Sequence, residues 1–269
     1  MNRSAVAAVA LAMVVLLAGC GGSGDAGLET DTPMPTAEET PITTPTPSLA
    51  DVSMPAGVSE TGVTDRSALV QAHADGLDGV AATVEIDFRL TVDGEGQNVA
   101  LRGKVTPGDD QGWMHVSTRD GVGTYYTEGE TTYEKVEVGE ETTYGTTDQV
   151  SAIPSAPRFG TDARLYDALS NANWTFDRVV SQDGALLLRY EATEVTLPDG
   201  VDVDREDGSA TADGVLLVGE DGIVRHVDIG LTVVTDTETV EYGLSISISD
   251  IGSTTIDQPD WVEHAEDNQ

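Results

Sequence analysis

From Val84 to Ile248 the chain keeps returning to a period of two. Val84, Ile86, Phe88, Leu90 and Val92 alternate with Thr83, Glu85, Asp87, Arg89 and Thr91. That is the pattern of a half-buried antiparallel strand, apolar on one side and wet on the other. After the turn Asp93-Gly94-Glu95-Gly96, residues Val99, Leu101, Gly103 and Val105 give a second strand. Trp113–Val116, Thr124–Thr127 and Thr132–Val136 follow, and Glu128-Gly129-Glu130 between the last two is a tight hairpin signal. Thr142 to Thr146 adds one short strand. Pro154 and Pro157 then break the pattern. Strands resume at Trp174–Val179 and Leu186–Tyr190, and an acidic loop over roughly 196–210 leads to Val215–Val218. Val227 to Val233 and Val240 to Ile248 alternate strictly.

Two stretches carry the period of a helix instead. Thr64 to Leu77 would place Leu69, Val70, His73 and Leu77 on one face, with Thr64 or Asp65 as cap and Gly76 or Gly79 as stop. Asp162 to Leu169 would present Leu165, Tyr166 and Leu169, with Thr161 as cap. Pro259 to Ala265 reads as a short helical or capping segment. The class is therefore α+β and mainly antiparallel β, with about ten strands. An apolar sheet face of that size needs a cover: the helices, the sheet curling on itself, or a ligand.

The beginning of the chain has a different character. Arg3 precedes an unbroken apolar run from Ala5 to Ala18. Signal-peptide cores run about 7–15 residues, whereas a spanning helix needs roughly 20. The run ends in Leu17-Ala18-Gly19-Cys20, which resembles the lipobox of secreted lipoproteins, and Cys20 is the single cysteine of the chain. Residues 1–19 are expected to be a cleaved signal peptide, with Cys20 carrying a lipid. The expected location is the outer face of the cell membrane. Residues 20–62, rich in Thr, Pro and Gly, read as a disordered linker, and 63–269 as the folded domain. One cysteine allows no internal disulfide, so an exported domain must rest on its own core.

Charge narrows the partners. Thirteen basic and 48 acidic residues give a formal net charge of −35, and only Lys104 and Lys135 are lysines. Nucleic acid is excluded as a partner, since phosphate binding needs a basic patch. Acids spread along the whole chain, with few lysines, point to a halophile's surface. At molar salt the Debye length falls to about 3 Å and self-repulsion is screened. Structure should therefore be lost on dilution into low salt.

Chemistry-bearing motifs are sparse. His73, His115, His226 and His264 fall on four separate elements and give no metal-ligand spacing. No Gly-x-Ser-x-Gly elbow, phosphate loop or dinucleotide fingerprint is present. Asp202 to Gly208 has the look of a calcium loop, but position six is Asp207 and position twelve is Asp213. That makes it a solvated acidic loop. No cofactor and no catalytic role are expected. Asn173-Trp174-Thr175 matches the N-glycosylation sequon, although it reads first as a strand start with Trp174 in the core.

The order of elements resembles haloarchaeal surface lipoproteins of unknown function, similar to the LolA/LppX lipoprotein-carrier superfamily. The resemblance rests on the helix before the first long strand and on the hairpin Tyr126 to Tyr133. It rests also on Asp221-Gly222-Ile223-Val224-Arg225 entering a long strand, and on Pro259-Asp260-Trp261 near the end. It implies a curved half-barrel sheet covered by two short helices, enclosing an apolar cavity for a lipid or other hydrophobic ligand. Phe88, Leu90, Leu101, Tyr126, Tyr133, Ile229, Leu231, Leu244 and Ile246 are the expected walls. The alternative is an envelope structural or protein-interaction module whose core is packed shut.

Overall fold

The computed structural model describes residues 47–106, 111–147, 161–197 and 209–267. Cys20 and the apolar run before it, the Pro154–Pro157 break and the loop around Asp202 to Gly208 lie outside the described residues.

Eleven strands form one open antiparallel sheet. In chain order they are β3 (Ala82–Val92), β4 (Glu95–Val105), β5 (Gln111–Thr118), β6 (Val122–Glu128), β7 (Thr131–Val138), β8 (Glu141–Thr147), β9 (Ala172–Gln182), β10 (Ala185–Val195), β11 (Ser209–Gly219), β12 (Val224–Val234) and β13 (Thr239–Ser249). A separate two-stranded ribbon, β1 (Val58–Ser59) and β2 (Gly62–Val63), precedes them. The spatial order is β8-β7-β6-β5-β4-β3-β13-β12-β11-β10-β9. Every neighbour pair but β3–β13 is a hairpin or a consecutive return, so β13 closes the centre by lying beside the first long strand. The sheet is curved and does not close on itself, since β8 and β9 remain its two edges. The segments read as strands from the sequence are strands here, eleven against the expected count of about ten.

The register fixes which side chains share a face. One line of paired residues crosses the sheet from Val136 on β7 through Leu101, Ile86, Ile246 and Leu216 to Phe176 on β9. We call this face inner, because α1 (Arg66–Leu77) and α2 (Thr161–Ser170) pack on it. Asp65 caps α1 by accepting from the Ala68 amide at 3.0 Å. Leu69, His73, Ala74 and Leu77 form its buried face. Gly76 does not end the helix: it lies within it, where a Cβ would stand 2.6 Å from the Ile223 side chain. Gly222, with φ +80°, faces Ala72 in the same way, so the β11–β12 turn docks directly on the helix. On α2, Leu165, Ala168 and Leu169 are buried, whereas Tyr166, expected on that face, is exposed.

Order begins before the expected boundary at residue 63. Leu49–Asp51 forms a 3₁₀ turn capped by Ser48, and Leu49, Val52 and Met54 pack against the core. Val58 is buried. The Ser53 amide donates to Glu220 at 2.7 Å, and the Tyr190 hydroxyl donates to the Ser59 carbonyl at 3.4 Å. Four scattered apolar residues have no period, so nothing in the pattern separated them from the linker.

A third helix, α3 (Val262–Glu266), sits on the outer face against β7 and β8. The chain reaches it from β13 by crossing β3, where the Thr254 hydroxyl meets that of Thr83 at 3.0 Å.

Candidate functional site: the inner face of the sheet

Seven of the nine expected wall residues share the inner face. Phe88, Leu244 and Ile229 are directly paired across three strands, as are Leu101, Ile86 and Ile246; Leu90 and Leu231 flank Tyr242. These seven divide by burial. Ile229, Leu231, Leu244 and Ile246 are sealed beneath the helices. Phe88, Leu90 and Leu101 are only half-buried, together with Val99, Val116, Tyr125 and Val136.

The sealed part is well packed. Phe176 meets Tyr190 edge-on at 5.6 Å, and at the border with the half-buried part Phe88 meets Tyr242 at 6.2 Å. Burial pushes the Tyr190 hydroxyl up to about 12 and raises that of Tyr242. His73 lies wholly within this region. Its Nδ1 accepts from the Val224 amide at 3.2 Å, which puts the proton on Nε2. Nε2 is buried without a hydrogen-bond partner among the described residues. Burial, then the nearby Arg225 charge, lowers the imidazole to about 4.

The half-buried part is a strip running from β3 to β7. Four inter-strand spacings make it about 19 Å wide. Tyr125 lies over Gly123, where a Cβ would be 2.9 Å from the ring. Thr127 and Thr132 close one end of the strip with a buried hydroxyl pair at 3.0 Å.

Tyr126 and Tyr133 are not part of either region. Both pair with Trp113 and Lys104 in a row on the outer face. Tyr126 is fully buried there; its hydroxyl lies 3.3 Å from Gln111 and its ring stacks on Tyr133 at 6.1 Å. Tyr133 donates to Glu266 of α3 at 3.2 Å, and Tyr144 meets His264 at 5.5 Å. Val262 and Ala265 of α3 are buried against this group. The two tyrosines thus serve a second, smaller core beneath α3. Tyr125 and Tyr126 are adjacent, so the strand has an aromatic on each side, and only the register decides which one faces inward.

Much of the rest of the outer face is polar, apart from buried Leu187 and half-buried Leu217 on β10 and β11. Arg102 pairs with Glu85 at 3.2 Å and Lys135 with Glu137 at 3.0 Å; Arg89 pairs with Glu241. His115 meets Thr124 at 3.0 Å and His226 meets Ser247 at 2.9 Å. The four histidines stand on α1, β5, β12 and α3. Among the described residues no three His, Cys, Asp or Glu side chains converge on one point. No described helix is long and apolar enough to cross a membrane. Asn173 is exposed on edge strand β9, with its amide nitrogen 2.7 Å from Glu194. Trp174 is buried, and its indole nitrogen finds no partner among the described residues.

Three surface depressions, of about 440, 570 and 750 Å3, are lined by none of the nine wall residues. The smallest lies at the β4 and β5 tips, where Gln97, Val99, Thr118 and Arg119 end the strip.

Among solved structures the chain is similar to LprF from Mycobacterium bovis, at 12% identity over 74% of this chain and 98% of that one, with TM-score 0.38. It is similar to lipoprotein LppX from Mycobacterium tuberculosis, at 12% identity over 71% and 97%, with TM-score 0.35. A LolA superfamily protein from Nitrosomonas europaea is matched at 9% identity over 71% and 94%, with TM-score 0.26. No curated protein matches the chain. A family model covers residues 5–265, and the chain belongs to that family, DUF7537, a family of unknown function.

Proposed function

We propose that this is a binding protein that holds a lipid or other hydrophobic molecule on the inner face of its half-barrel. The observation that carries the reading is the strip of Phe88, Leu90, Val99, Leu101, Val116 and Tyr125, contiguous, apolar and only half-buried. A sheet whose interior were packed shut would seal these residues as it seals Ile229 and Leu244. Burying a methylene is worth about 0.8 kcal/mol. A chain that laid about ten methylenes on the strip would gain roughly 8 kcal/mol before ordering costs, a micromolar-range ceiling.

The envelope setting belongs to the same proposal. The Leu17-Ala18-Gly19-Cys20 box supports a lipid on Cys20 that would hold the protein on the outer face of the cell membrane, and the acidic, lysine-poor composition supports a halophile as its source. The Thr/Pro-rich stretch after it would space the domain from the bilayer. Asn173 offers an exposed acceptor for glycan on the same side. The packed β9–β13 half favours the second reading, an envelope interaction module, for that half alone.

The test is native mass spectrometry of the full chain carrying Cys20→Ser, purified from a halophilic host in molar salt, with lipid analysis of an organic extract. A stoichiometric apolar adduct, lost on Leu101→Asp, is the expected result. A clean apo mass with no uptake of added lipid would leave the half-barrel as a scaffold.

A further inference from the structure

The charges of the β3–β8 strands are sorted by face. The register puts Arg89, Arg102, Lys104, His115 and Lys135 on the outer face. Among the described residues of these six strands, none of the inner-face positions is basic. Three inner positions are carboxylates: Glu95, Glu134 and Glu141.

Their places are specific. Val92 and Val138 are 41% and 55% exposed, at the same end of the sheet, and both point inward. Glu95 is the direct cross-strand partner of Val92, and Glu141 that of Val138. Each exposed rim valine therefore has a carboxylate beside it. Glu134 stands further in, directly opposite Tyr125, with its carboxylate over Gly145. At the other end α1 docks on the β11–β12 turn through Gly76, Gly222 and His73. The open end is thus the one with the valines.

We infer that the inner strip is entered from the Val92–Val138 end and selects an amphiphile whose head group donates hydrogen bonds to carboxylates, an alcohol or an ammonium, and rejects an anionic one. This rests on the binding reading above. The outer acids are a matter of surface solvation, and many have cations beside them. The inner three have none on the strands of their own face, and Arg119, the basic residue of the β5–β6 turn at this rim, stands with Asp120, so an anionic head would still meet net like charge next to low-dielectric apolar walls. An ammonium or hydroxyl would meet acceptors with free lone pairs. At molar salt only contacts within a few ångströms of the rim survive screening, so the preference is a contact preference and grows as salt is lowered.

The experiment uses the full chain carrying Cys20→Ser at the lowest salt that leaves its circular dichroism unchanged. Dodecylammonium, dodecanol and dodecanoate compete with an uncharged fluorophore, N-phenylnaphthylamine. The expected order is ammonium, alcohol, carboxylate, with at least about tenfold between the first and the last. In the triple variant Glu95→Gln, Glu134→Gln, Glu141→Gln the gap closes. In the control Glu60→Gln, Glu130→Gln, Glu263→Gln, with the same change in net charge, the gap remains. Equal affinity for all three, or dodecanoate the tightest, overturns the head-group selection while apolar binding stands. A gap that closes equally in both variants assigns it to net charge and also overturns the inference. If neither fluorophore nor amphiphile binds, the binding reading itself fails.

Discussion

The β9–β13 side of the sheet and the β4–β8 side have the same alternation and opposite solutions to it. On the first, α1 and α2 cover the inner face, and Leu188, Leu216, Val227 and Ile229 are almost wholly buried. On the second, the inner face stays half-open, and it is the outer face that is covered, by α3 over Tyr126 and Tyr133. An antiparallel sheet needs only one dry face to be stable. The second side obtains it from a five-residue helix, which leaves its inner apolar residues free for another occupant. On the proposed reading, stability and binding fall to different regions of one sheet.

Truncation should separate the two regions most sharply. Leu244, sealed between Ile229 and Phe88, is expected to cost about 2–5 kcal/mol when changed to Ala. Leu101→Ala, on the half-buried strip, is expected to cost less than about 1.5 kcal/mol, because less area leaves water there on folding. Urea unfolding at constant molar salt measures both. Equal costs would mean that the strip is core and not a binding surface.

The next test concerns the strap. Val262→Asp puts a charge into the buried contact between α3 and β7–β8. A loss of about 3 kcal/mol in the protection of the β6–β8 amides is expected, with β10–β12 unchanged. Hydrogen exchange read by mass spectrometry resolves the two sets. Loss of protection throughout would show one cooperative unit, with no division of labour.

How far the sequence discloses this arrangement depends on what kind of signal each part leaves. The eleven strands of the large sheet are legible, the long ones from period two and short ones such as Thr142 to Thr146 from a Thr-rich run following a Gly turn, whereas the ribbon β1–β2 is not. The division between sealed and open is not, since Leu101 and Leu244 occupy equivalent places in their alternation and differ only in what lies above them. Tyr126 and Tyr133, expected among the walls, face outward for a related reason. Tyr125-Tyr126 puts a ring on each face, and the cover that makes the outer one buried arrives from residues 262–266. The segment 47–59 leaves no periodic trace at all, and its apolar residues acquire meaning only from the sheet they meet. Residues whose role depends on a distant partner are the ones a local pattern cannot rank.

His73 allows the packed side to be probed by pH. Its folded value near 4 lies below the ordinary 6.5, so the neutral imidazole is favoured by folding. The associated stability is complete above pH 6.5 and is lost as pH falls from 6.5 toward 4, by no more than about 3 kcal/mol. His73→Asn keeps an acceptor for the Val224 amide and removes the titration. The variant should be less stable at pH 7.5 and should show a flatter slope between pH 6.5 and 4.5 than the parent. The carboxylates, common to both proteins, cancel in the difference. An unchanged slope would mean that His73 is hydrated and that the packed side is looser than its burial indicates.

The smallest effect expected is the most local. Tyr133→Phe removes the hydroxyl that donates to Glu266 and leaves the ring stacked on Tyr126. One neutral-to-charged hydrogen bond at a half-exposed site is worth about 1 kcal/mol or less. Global unfolding should barely move. Amide exchange within Val262–Glu266 should rise severalfold, because that bond ties the helix's last turn to β7. Ligand affinity should stay as it was, since Tyr133 faces away from the inner strip. A change in affinity with no change in α3 exchange would place Tyr133 on the binding side after all, and the assignment of separate faces to binding and bracing would fall with it.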